Sequence, residues 1–197
     1  MMSTRMTPAR LRNIDRWGPV SQALHWTIAL LVVVMAAIGL TLDELPRSPK
    51  WFWVYDLHKS VGLLVLALML FRLGWRAYAG APAPVPGTSR PQRIAAGVTH
   101  WLLYALVLAM PLSGWLMDSA SGLRPLRWFG QVVVPKLVAP DEGLASRMQD
   151  LHENLFWVLA ILVLAHVAAA TWHHLFRGDA TLARMLPRGW LDEGPPP

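Results

Sequence analysis

His152, His166 and His173 stand fourteen and then seven residues apart within the last strongly apolar run of the chain, Leu151 to Phe176. Seven residues are about two helical turns, so a single helix would carry all three imidazoles on one side, with His152 and His166 about 21 Å apart along its axis. A titratable ring in hydrocarbon is costly unless it has a partner. Two such rings at two levels suit two haem irons held one above the other in a bilayer, each iron taking its second imidazole from another helix of a bundle.

The elements that would position them follow from composition. The chain has 197 residues, 54% hydrophobic and only 15% charged, which puts it in the membrane class as a single membrane domain. It contains no cysteine, which excludes disulfides, thiolate zinc sites, thiolate-ligated iron–sulfur clusters and covalently attached haem. Any haem must be held non-covalently. Four runs reach the roughly twenty residues that cross a bilayer: about 20–41, 57–78, 97–118 and 152–176. The reading is therefore an all-α membrane protein, a four-transmembrane-helix bundle with an outer loop 119–150 and a cytoplasmic tail 177–197. The first run follows Arg5, Arg10, Arg12 and Arg16 and shows no small-residue cleavage site after its apolar centre, so it is expected to be retained rather than removed as a signal peptide.

The net charge of +6 does not point to nucleic acid, because the arginines sit between the spans rather than in one stripe. Their distribution sets topology instead. The N-terminus, the 72–93 region and the tail hold eleven of the eighteen Lys and Arg; the other flanks hold seven, together with eight of the twelve acids. Both termini are expected in the cytoplasm of a multi-pass bacterial inner-membrane protein. Residues 79–92, rich in proline and small residues, read as an extended linker. The stretch from Leu123 to Val138 mixes apolar residues with Arg124, Arg127 and Lys136 and suits a segment lying on the outer membrane surface, lidding the bundle or simply forming an interfacial loop. Asp150 with Glu153 is expected to cap the fourth helix, and Asp56 the second.

With that orientation, depth pairs His58 with His152 near the outer surface, and His25 with His166 or His173 towards the cytoplasm. Two imidazoles on each iron would leave no open position, so outer-sphere electron transfer is the expected chemistry rather than oxygenation. His100 has no depth partner left and reads as an interfacial residue near a substrate. A zinc or copper site would want three or four ligands converging at one level, which these spacings do not provide. Most tryptophans fall near span ends, where an aromatic belt is the default reading. Arg72 and Arg76, at the end of the second span, would either pair with propionates of the inner haem or follow the positive-inside rule. Lys59, Arg124 and Arg127 on the outer side could steer an anion.

The runs SQALHW at His25, DLHKSVG at His58, FRLGWR, LVLAMPLSGW, LHENL at His152 and AHVAAATWHHLF from His166 resemble the bacterial cytochrome b561 family, over roughly residues 18–188. The resemblance implies a four-helix membrane cytochrome with two haem b groups and axial ligands His25, His58, His152 and His166, favouring His166 over His173. Some members are superoxide:ubiquinone oxidoreductases. By that likeness the chain is an oxidoreductase passing electrons from superoxide outside to ubiquinone or another membrane quinone, with His173 and Arg90 or Arg93 at the quinone. Two rival readings stand beside it. One is a cytochrome b subunit delivering electrons from a periplasmic dehydrogenase or hydrogenase to quinone; the other is a non-enzymatic membrane protein whose histidines serve packing or metal transport.

Overall fold

Proline, serine, aspartate and glycine punctuate four long apolar runs, and each run becomes a helix. The computed structural model describes residues 15–42, 44–46 and 48–191. Arg5, Arg10 and Arg12 and the last six residues of the tail lie outside the described residues. Helix α1 spans Pro19–Leu42, α2 Phe52–Ala79, α3 Arg90–Ser121 and α4 Glu142–Trp172. All four are long and apolar enough to cross a membrane, which makes this a multi-pass membrane protein.

The boundaries correct the sequence expectation in an instructive way. Helix α4 starts about ten residues before the apolar run, because Asp141, not Asp150, is the cap: its carboxylate accepts the backbone N–H of Leu144 at 2.8 Å. Asp150 lies inside the helix. Asp56 likewise sits inside α2, which begins at Phe52 without a side-chain cap. Helix α3 starts within the supposed linker at Arg90, where Ser89 and Gln92 form a capping box. Polar first turns extend α3 and α4 beyond the hydrophobic span.

Consecutive helices pack side by side in antiparallel sense, α3 most extensively against α4. The bundle thus has a loop end, carrying the α1–α2 and α3–α4 connections, and a terminal end, carrying residues 15 and 191. Its buried core is a layer at mid-height: Ile28, Val65, Met69, Tyr104, Val107 and Leu159. Leu159 stands seven residues from both His152 and His166, so this apolar layer separates the two histidine levels.

At both ends chain segments are tied down through backbone groups. At the loop end, β1 (Arg127–Trp128) and β2 (Val132–Val133) pair antiparallel. Trp128 Nε1 donates to the Ser60 carbonyl at 3.0 Å, Phe129 N to Ser60 Oγ at 3.0 Å and Leu137 N to Ser119 Oγ at 3.1 Å. Gly122 ends α3 at φ +67, where a Cβ would meet Pro140 Cβ at 2.9 Å, so only glycine fits. The hairpin is thus fastened to α2 and α3, with Val132 to Pro135 lying along Leu63, Leu66, Ala67 and Leu70 of α2.

At the terminal end the tail is not loose. Gln22, buried at the start of α1, donates to the carbonyls of Trp17, Arg184 and Leu186. Trp26 Nε1 reaches the Met185 carbonyl at 2.8 Å, Arg16 the carbonyls of Ala183 and Leu186, and Arg184 the Ala83 carbonyl at 2.7 Å. The result is a strap across the end of the bundle, joined to the proline-rich connection.

Candidate functional site

Four histidines from three helices meet in two pairs, one near each end. At the loop end the rings of His58 (α2) and His152 (α4) lie with centroids 6.3 Å apart. At the terminal end His25 (α1) and His166 (α4) are also 6.3 Å apart. Two imidazoles sharing one metal ion stand about 6 Å apart, given two bonds of about 2 Å and two ring radii of about 1 Å. Both pairs are thus spaced for an ion between them, while being too far apart to touch. Neither could hydrogen-bond directly across that gap.

The surroundings of the rings fit the same use. His58 Nδ1 is buried without a hydrogen-bond partner among the described residues, a costly state that a bond to a ligand would relieve. Glycines flank the loop-end pair: a Cβ on Gly39 would stand 3.4 Å from His58 Cε1, and one on Gly114 3.2 Å from His152 Cε1. Among the described residues no group of three or more histidines and carboxylates converges.

The terminal end adds groups that the loop end lacks. His100, from α3, which sequence reading left without a partner, stands with its ring 5.4 Å from that of His166. Arg72 acts electrostatically on His25, His100 and His166. Arg76 donates to Tyr104 Oη at 3.3 Å and lies over the rings of Tyr104 and Trp17. Neither arginine has a carboxylate partner among the described residues. His173 opens a π-helical turn, His173–Arg177, and its Nδ1 meets Asp179 Oδ2 at 2.6 Å. Burial alone would raise the Asp179 carboxyl, but hydrogen bonds from His173 and from Thr181 outweigh it and hold the group below the ordinary carboxylate value. An ionised Asp179 must accept from His173 Nδ1–H, which leaves His173 Nε2 free. Arg90 and Arg93 stand exposed at the start of α3 and make no hydrogen bond or ion pair with His173.

The loop-end cations are less available than the sequence suggested. Lys59 is bound to Asp118 at 2.6 Å, with Asp118 8% exposed, and Arg124 to Asp56 at 2.9 Å. Arg127 lines a cavity of about 270 Å³ with Asp56, Arg124, Pro125 and Gly130.

An antiparallel bundle of four apolar helices with an imidazole pair near each end defines a membrane cytochrome rather than a packing-only protein. Residues 16–188 match the family described as prokaryotic cytochrome b561, and the chain belongs to that family. It is 35% identical to cytochrome b561 homolog 2 of Escherichia coli K12 over 91% of this chain and 96% of that protein. With cytochrome b561 homolog 1 of the same strain it shares 30% identity over 89% and 99% of the two chains. A protein described as probable superoxide oxidase CybB, from Yersinia pestis, is 29% identical over 84% of this chain and 92% of its own length. Membership implies haem b and electron transport.

Proposed function

We propose that the protein is a di-haem b membrane electron-transfer protein of the bacterial inner membrane, taking electrons from superoxide at the loop end and delivering them to ubiquinone or another membrane quinone at the terminal end. Both chain termini then face the cytoplasm, in keeping with the eleven Lys and Arg on that side. The observation that carries the reading is the pair of 6.3 Å imidazole gaps, one at each end of the bundle. The similarity to a probable superoxide oxidase supports the donor.

In this reading His58 and His152 hold one haem, His25 and His166 the other, and the haems supply reversible one-electron iron chemistry. With two imidazoles at each site, His58 with His152 and His25 with His166 would hold the haems non-covalently for electron transfer rather than dioxygen chemistry. Arg72 and Arg76, without carboxylates of their own, pair with the propionates at the terminal end. His173, its Nδ1–H held by Asp179, takes up a solvent proton on Nε2 and passes it from there to a quinone oxygen; Arg90 and Arg93 add positive charge at that mouth. The balance is two superoxide anions oxidised to two dioxygen molecules while one quinone takes two electrons and two protons.

Stopped-flow spectroscopy of the purified protein with a superoxide source, and dismutase as control, tests the donor. Reduction with no partner protein present separates this reading from a subunit that serves a periplasmic dehydrogenase. His173→Ala tests the acceptor side: both haems should remain and reduce normally, while reoxidation by added quinone slows about 10²-fold or more, the usual weight of a positioned proton donor. Loss of the terminal-end haem would make His173 the ligand instead, and reoxidation at the wild-type rate would remove it from the quinone site.

A further inference from the structure

Helix α3 supplies neither histidine of the two pairs, yet its loosened turn lies against one of them. Pro111 cannot donate to the helix ladder, and within the same turn Ser113 Oγ bonds the Met110 carbonyl at 2.8 Å and His152 Nδ1 at 2.9 Å. Ser113 is 5% exposed, so water does not compete for either bond. The donor roles follow by elimination. A carbonyl only accepts, so the single hydroxyl hydrogen of Ser113 is committed to Met110. The contact with His152 then requires that the imidazole donate, which puts its hydrogen on Nδ1 and leaves the lone pair on Nε2. Gly114, next in sequence, lets the ring lie close to the α3 backbone, where a Cβ would stand 3.2 Å away.

We propose that Ser113 is a positioning residue for His152: it fixes the tautomer that turns Nε2 towards the loop-end iron and strengthens that nitrogen as a donor. The proposal rests on His152 being a haem ligand, as argued above. A hydrogen bond accepted from the far ring nitrogen raises ligand basicity and thereby favours the ferric state. Among the described residues His166 meets no corresponding hydroxyl; its neighbour is the His100 ring. The device therefore acts on one site only and lowers the potential of the end at which electrons enter.

The test is redox titration of the purified two-haem protein with low-spin ferric EPR of each haem. Ser113→Ala should shift the loop-end midpoint upward and change its g-values, leave the terminal-end haem unmoved, and weaken loop-end haem retention about 10- to 100-fold. Ser113→Thr and Ser113→Val have nearly the same shape and differ in the hydroxyl. Thr should restore the wild-type potential and Val should not, even if Ala loses the haem outright. Identical behaviour of Thr and Val, or an unmoved loop-end midpoint in Ser113→Ala, overturns the role of Ser113. If His152→Ala retains both haems, the underlying ligand assignment fails instead.

Discussion

The two ends of the bundle share one spacing of imidazoles and differ in nearly everything around it. At the loop end the cations beside the pair are already matched, Lys59 with Asp118 and Arg124 with Asp56, and His152 is tied through Ser113 to the α3 backbone. At the terminal end Arg72 and Arg76 have aromatic neighbours but no carboxylate among the described residues, and a third imidazole stands beside His166. A redox centre is easier to reduce near unmatched positive charge, and harder to reduce when its ligand is made more basic. In the proposed reading the more basic ligand at the loop end is the difference that favours electron flow from there to the terminal end.

The strongest way to break the comparison is to remove one ligand at a time. His58→Ala or His152→Ala should abolish the loop-end haem and leave the other, halving the haem-to-protein ratio. His25→Ala or His166→Ala should do the reverse. Pyridine haemochrome quantification with reduced spectra checks both, and loss of the terminal-end haem in His152→Ala would overturn the pairing.

A finer cut is steric. Gly114→Ala would bring a methyl to 3.2 Å from His152 Cε1, tighter than nearly all real contacts, whereas Gly39→Ala would stand 3.4 Å from His58 Cε1. The first should lower loop-end haem occupancy clearly and the second only slightly, with the terminal-end haem unaffected in both. Overpacking of this kind typically costs about 1–3 kcal/mol. Equal losses at both ends would mean that the glycines serve helix packing in general rather than the rings.

Much of this arrangement was legible in the chain, because the spacing of fourteen between His152 and His166 converts directly into depth on a continuous helix, and α4 is continuous through both. What was not legible involved groups without periodicity. Asp150 stands directly before the apolar run whereas Asp141 precedes the polar turn that starts with Glu142, so hydropathy favours the wrong cap. The strap of residues 183–186 is held through backbone carbonyls, which no side-chain pattern reveals; Gln22, a polar residue opening an apolar run, was the available signal. Ser113 carried no signal, since a serine in a membrane helix most often bonds its own backbone, and here it does that and also meets His152. His100 was set aside by counting ligands, although its nearness to the same level as His25 was readable.

The smallest expected effect concerns Asp179, which the loop end has no counterpart for. Its folded-state value is depressed below 3.8 by the bonds from His173 and Thr181, so its contribution is fully present above that value and is lost as pH falls through the lower folded value. Asp179→Asn keeps a carbonyl that can still accept from His173 Nδ1–H, so His173 should stay oriented, both haems should bind, and quinone-driven reoxidation should slow only a few-fold. The stability difference from wild type should be about 1 kcal/mol or less and should vanish in acidic solution as the wild-type carboxyl takes up its proton. Thermal unfolding in detergent across that range checks the sign: a difference that instead grew on acidification would mean that the charge of Asp179 opposes the strap rather than anchoring it.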